Sequence, residues 1–184
     1  MSRLTIYPDS NPDDIILDTQ DGDEIARTLS NLDVRFERWS ASKEFANDAA
    51  DETVIEAYKT DIERIKAEGG YQTVDILRVN EETPNKPAIR AKFLNEHTHS
   101  EDEVRFFVDG AGSFYLRLEG RVHIVLCERG DLISVPAGVQ HWFDMGADPR
   151  ITALRFFDNQ EGWVPHFTGS DIAEKFPKFD ETNV

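Results

Sequence analysis

A chain of 184 residues with 39% hydrophobic and 30% charged residues has a globular composition, with room for one core and a helical appendage. Its 36 acidic against 20 basic residues give a formal net charge of −16, which excludes nucleic acid and anionic membranes as partners. Small anions stay open, because a bound metal can supply positive charge locally.

One cysteine, Cys127, excludes an intrachain disulfide framework and fits a reducing compartment. It sits in the apolar run 122–127 and reads as a small core residue. No stretch resembles a signal peptide and no run approaches transmembrane length, so a cytoplasmic location is expected.

In chain order, Leu4–Tyr7 is a short strand ended by Pro8. Residues 23–32 place Ile25, Leu29 and Leu32 at amphipathic-helix spacing, with acidic residues in the first turn. Val34–Trp39 then alternates apolar and charged residues, as a half-buried strand does. The spacing predicts a second helix over about 51–67, with Val54, Tyr58, Ile62 and Ile65 on one face and Gly69-Gly70 closing it. From Tyr71 the pattern becomes short strands: 74–79, 91–95, 104–108, 113–118, 122–127, 132–135 and 151–157. Even spacing of this kind predicts an antiparallel sandwich or barrel. A single domain is expected, with a mixed part to about residue 70, a barrel to about 168 and an irregular tail over 169–184 whose acidic end frays.

The chemistry concentrates in His97-Thr-His99, Glu103 and His141. Side chains two apart on a strand share a face, so His97 and His99 point the same way. Counting on by twos reaches Glu103 and Arg105, provided the polar segment 100–102 does not bulge. Glycine and Pro136-Ala-Gly138 turns fix where the next strand re-enters, which lets His141 close the site from the other side. Three imidazoles and a carboxylate suit a six-coordinate, redox-active metal with open positions. Arg105 is then a fixed cation beside that metal, placed to neutralise an anionic substrate; the alternative is a strand-end arginine paired with surface carboxylates. Phe93, Phe107, Phe143 and Trp163 are candidate pocket walls, against the alternative of ordinary core packing. Arg155, inside an apolar strand, should be paired if buried and is a further substrate-site candidate. Asp102 and Glu101 flank the glutamate as possible acceptors for an imidazole N–H, whereas His123 and His166 read as ordinary core, surface or loop residues.

These stretches resemble the two motifs of the cupin superfamily. His97, His99, Glu103 and Gly110 match the first, with Ala91 in place of its leading glycine. Gly130, Pro136, Gly138 and His141 match the second, with Met145 in place of its final asparagine. More specifically, 23–39, 96–106, 136–143, Arg155-Phe-Phe-Asp158 and Gly162-Trp163 resemble the acireductone dioxygenases of methionine salvage, from about Tyr7 to Thr168. That resemblance implies a mainly β cupin barrel, a jelly roll with N-terminal helices packed outside. It implies one Fe²⁺ or Ni²⁺ per chain, held by His97, His99, Glu103 and His141. Its substrates are O₂ and the enediol 1,2-dihydroxy-3-keto-5-methylthiopentene. The iron form would give formate and 4-methylthio-2-oxobutanoate; the nickel form would give formate, CO and 3-methylthiopropanoate. No nucleic acid or membrane partner is expected, and the expected state is a monomer. The competing readings are another metal-dependent cupin oxygenase or isomerase, or a metal cupin that binds without catalysis.

Overall fold

The computed structural model describes residues 1–46, 48–158 and 163–182. In chain order these form β1 (Arg3–Pro8), β2 (Leu17–Thr19), α1 (Gly22–Ser30), β3 (Arg35–Arg38), α2 (Asp51–Ala57), α3 (Lys59–Gly69) and β4 (Thr73–Val79). Then follow α4 (Lys86–Ala91), β5 (His97–Thr98), β6 (Glu103–Leu118), β7 (Arg121–Glu128), β8 (Asp131–Val135), β9 (Gln140–Asp144), β10 (Ile151–Phe157), β11 (His166–Phe167) and α5 (Phe179–Thr182).

One 16-residue strand, β6, joins the two sheets. Its first half pairs antiparallel with β10 and β8, in the order β4-β10-β6-β8-β3. Its second half pairs with β7 and β9, in the order β11-β5-β9-β6-β7-β1-β2. The sequence predicted two strands, 104–108 and 113–118; the structure corrects this to one strand that bends at Gly110. Gly110 has φ +75°, and a Cβ on it would stand 1.8 Å from the Arg150 carbonyl oxygen. Glycine therefore lets β10 approach closely while β6 changes sheet.

Alternation along β6 sorts the interior. Val104, Phe106 and Val108 face outward under α2 and α3, packed with Val54, Tyr58, Ile62 and Ile65. Phe107 faces inward, with Phe114 and Leu116 further along, into the core shared with Leu4, Ile6, Val125 and Ile133. Ile25 and Leu29 of α1 join that same core. Asp21 caps α1 by accepting from the Glu24 N–H at 2.8 Å.

Three further expectations need correcting. The single helix over 51–67 is two, broken at Tyr58 (φ −109°, ψ 15°), whose ring packs against Phe106 at 5.0 Å. The strand expected at 91–95 is instead the end of α4 and a turn, because the first turn of α4 takes Pro87 without loss of a needed N–H. The tail is not irregular throughout. A 3₁₀ turn at Ile172–Glu174 and α5 follow, and Ile172, Ala173 and Phe176 bury against Tyr7, Tyr115 and Trp142. Gly162 of the sequence motif lies outside the described residues. No helix among the described residues is long and apolar enough to cross a membrane.

Candidate metal centre

Strand pairing brings the two motifs together. His97 on β5 stands directly opposite His141 on β9, and Glu103 opens β6. The Pro136-Ala-Gly138 turn is tied to the His-x-His segment twice. Gly138 N–H donates to the His99 carbonyl at 2.9 Å, and Ala137 N–H donates to the Asp102 carboxylate at 2.9 Å. Gly138 has φ +79°, the left-handed conformation that this turn requires. The result is four buried side chains whose ligand atoms lie within 4.8 Å of one another.

Backbone carbonyls set the histidine tautomers. Nδ1 of His97 meets the Asn95 carbonyl at 2.7 Å, Nδ1 of His141 meets that of Val139 at 2.7 Å, and Nδ1 of His99 meets that of Val164 at 3.0 Å. A carbonyl only accepts, so each Nδ1 carries the proton and each Nε2 is left to face the centre. Nε2 of His99 and of His141 then lie 3.0 and 3.1 Å from the same oxygen, Oε2 of Glu103. Two lone pairs cannot sit that close to a carboxylate without a cation between them. A proton can take that place, and so can a metal ion. Oε1 of Glu103 accepts no hydrogen bond among the described residues, although the Arg105 guanidinium is 2.8 Å away. This donor set fits a divalent ion that accepts mixed nitrogen and oxygen ligands.

Ionisation agrees with that reading. Burial works against charge on Glu103, yet Arg105 and the two histidines override it and hold the carboxyl well below its ordinary range. Burial lowers His97 to about 4, so this ring is neutral near pH 7. His99 is also penalised by burial, but its bond to Glu103 wins and raises it.

A cavity of about 570 Å³ opens beside the cluster, with His97, His99 and Glu103 in its wall. Arg105 forms part of its wall and is 1% exposed, with its guanidinium 4.6 Å from the Phe143 ring centre and 5.4 Å from those of Phe93 and Trp163. Its Nε and Nη1 meet no hydrogen-bond acceptor among the described residues. Two N–H faces of a buried cation therefore await a partner. Phe93, Trp163 and Arg155 also line the cavity. Phe107 and Phe143 do not, which corrects that expectation. Both are buried in the apolar core, Phe107 two places beyond Arg105 on β6 and Phe143 on β9. Phe143 serves instead as the surface on which Arg105 rests.

Arg155 is paired, as its place in an apolar strand requires, through a bidentate bond to Asp75 at 2.8 and 2.6 Å. Asp102 does not reach an imidazole. Its carboxylate takes the Ala137 N–H and the Tyr71 hydroxyl, while its carbonyl accepts from Trp163 Nε1 at 3.1 Å. His123 is buried on β7, apart from the ligand set, and His166 is exposed on β11 opposite Thr98. Sequence reasoning missed Thr73, Asp75, Lys92, Phe157 and Pro165, which also line the cavity. Only Asp75, a charge inside the apolar strand 74–79, carried a visible signal.

A jelly-roll barrel with this ligand set in one end defines a cupin-type metalloprotein. The family model described as ARD/ARD' family matches residues 3–165, and the chain belongs to that family. It is 57% identical over 180 residues to the acireductone dioxygenase of Parvibaculum lavamentivorans, covering 98% of each chain. It is 53% identical to that of Enterobacter sp. (strain 638), covering 97% of this chain and 99% of the other. Among solved structures, the acireductone dioxygenase from Bacillus anthracis with a cadmium ion in its active centre superposes with a TM-score of 0.81. It is 29% identical, covering 91% of this chain and 98% of that one.

Proposed function

We propose that this chain is an acireductone dioxygenase that cleaves 1,2-dihydroxy-3-keto-5-methylthiopentene with O₂, using one Fe²⁺ or Ni²⁺ held by His97, His99, Glu103 and His141. The observation that carries the reading is Arg105, a fully buried guanidinium with two unmatched N–H faces beside a four-ligand cluster. A divalent ion held by His97, His99, Glu103 and His141 would supply Lewis-acid and redox chemistry beside that guanidinium.

The protein's own groups do the rest. Arg105 donates to the enediolate oxygens and lowers the cost of holding that substrate as an anion, the electron-rich form that reacts with O₂. Glu103 fixes the guanidinium at 2.8 Å, and the aromatic rings around it keep it from turning away. Phe93 and Trp163 form an apolar wall suited to a thioether tail, since sulfur–aromatic contacts are favourable. The same walls limit water around the reacting oxygens, which strengthens each charge interaction there.

The test is to strip the protein of metal, reload it separately with each ion, and add the enediol and O₂. Formate and 4-methylthio-2-oxobutanoate are expected from the iron form, and formate, CO and 3-methylthiopropanoate from the nickel form. No turnover in either form would overturn the reading.

A further inference from the structure

We infer that Lys92, followed by Arg155, forms a cationic approach that draws the anionic substrate into the cavity against the protein's overall negative charge. The inference rests on the function proposed above, since it takes the substrate to be an enediolate.

A formal net charge of −16 repels a small anion at a distance, and without a local correction association would be slow. The cavity supplies that correction. Three cations line it with decreasing exposure: Lys92 is exposed, Arg155 has 24% of its side chain exposed, and Arg105 is 1% exposed. The lining carboxylates are Glu103 and Asp75, and both are engaged, one with Arg105 and the histidines and the other with Arg155. Lys92 makes no ion pair among the described residues, whereas Lys59, Lys86 and Lys175 each meet a carboxylate.

Placement supports the same role. Lys92 follows α4 directly and precedes Phe93, a wall of the cavity. The helix is anchored by a bidentate bond from Arg90 to the buried Asp144, at 2.6 and 2.8 Å. The backbone that carries Lys92 is thus held in place, and its exposed side chain lines the cavity. Beyond it, Arg155 lies over the rings of Phe157 and Trp163 at 5.3 and 5.7 Å, and Arg155 is register partner to Arg105 across β10 and β6. An anion that meets Lys92 has the Arg155 guanidinium, itself paired with Asp75, further along the wall and the Arg105 guanidinium at the reacting centre.

Salt dependence gives the inference a sign. If net charge governed the encounter, screening would remove a repulsion and association would speed up as salt is added. If the local approach governs it, association slows as salt is added. The experiment is anaerobic stopped-flow mixing of the nickel-loaded protein with the enediol at about 20 and about 300 mM salt. Without O₂ the association rate is read directly from substrate absorbance.

The wild-type rate is expected to fall with salt. Lys92→Glu should lose about tenfold at low salt and reverse the trend, while Lys92→Arg should behave as wild type. The loss should lie in the association rate and kcat/KM rather than in kcat. Lys59→Glu, on α3 and outside the cavity, makes the same change in net charge (−16 − 2 = −18) and should leave the salt trend intact. A wild-type rate that rises with salt, or equal effects of the two glutamate variants, would overturn the steering and leave the function standing. If the enediol neither binds nor turns over in either metal form, the function reading falls and this inference falls with it.

Discussion

Glu103 carries more of the site than any other residue. It faces His99 and His141 through one oxygen and Arg105 through the other, at 3.0, 3.1 and 2.8 Å, with almost no exposure to water. Each partner therefore has a separable effect. His97→Ala or His141→Ala should abolish stoichiometric metal binding, measured by metal analysis after desalting; full content in both would remove these residues from the ligand set. Arg105→Lys keeps the positive charge beside Glu103 but loses the guanidinium fork, so turnover should fall about 100-fold with metal content unchanged. Wild-type turnover there would end the role assigned to the fork. Metal affinity should also depend on protons. The bond to Glu103 raises the His99 pKa, so below that pKa the metal-free site holds a proton that an ion must displace. Apparent affinity should weaken by about tenfold for each pH unit below the His99 pKa. His97, already neutral down to about pH 4, adds nothing to that slope, and a flat affinity from pH 8 to 5.5 would contradict the assignment. The four side chains that cluster here were legible in the sequence because metal chemistry restricts residue type and spacing together. The carbonyls of Asn95, Val139 and Val164 that orient the rings were not, since any residue offers a carbonyl.

At the scale of elements, legibility followed periodicity. The helix over Gly22–Ser30 and the strands β7, β8 and β10 match the pattern closely because each has one wet face and one dry face, or none wet at all. The failures came where a local signal has two meanings. Asp-Gly inside β6 reads as a hairpin turn, yet here the glycine bends a continuous strand past Arg150. Segment 91–95 is short and apolar enough for a strand, but Asn85 and Pro87 had already started a helix. That helix, α4, matters to the site because it ends two residues before Phe93. Its anchor is the pair Arg90–Asp144, with the carboxylate fully buried and also accepting from the N–H groups of Gly146 and Phe179. Burial alone would raise Asp144, but Arg90 and these N–H groups prevail and lower it. A lowered carboxyl stabilises the fold above its unfolded pKa, and the contribution is lost as pH falls through the folded value. Arg90→Ala at pH 7 should leave an uncompensated buried charge and cost about 3–5 kcal/mol, read by urea unfolding. Because α4 then loses its hold, KM should rise more than kcat falls. A loss of stability with unchanged KM would mean that α4 does not set the cavity wall.

For the whole molecule, the metal centre is also a joint between structural parts. His97 and His141 lie in the sheet that ends at β11, whereas Glu103 belongs to the half of β6 that pairs with β8 and β10. His99 is tied through Val164 to the segment that forms β11. An ion bound to all four therefore clamps both sheets and the following segment at one point, and an unfolded chain offers no such arrangement. Binding to the folded state alone stabilises it by about 4 kcal/mol when free metal exceeds its Kd a thousandfold. For a chain of this length each kcal/mol is worth about 2–4 °C, so reloading the stripped protein should raise Tm by about 8–16 °C. Glu103→Gln should lose most of that gain, because the ion loses its one anionic ligand while the side chain keeps its volume. Arg38→Ala, at a surface-linked ion pair with Asp131 remote from the ligands, should lower Tm in both forms and leave the metal-dependent increment unchanged. Equal increments in wild type and Glu103→Gln would show that metal stabilises the fold from somewhere other than these four residues.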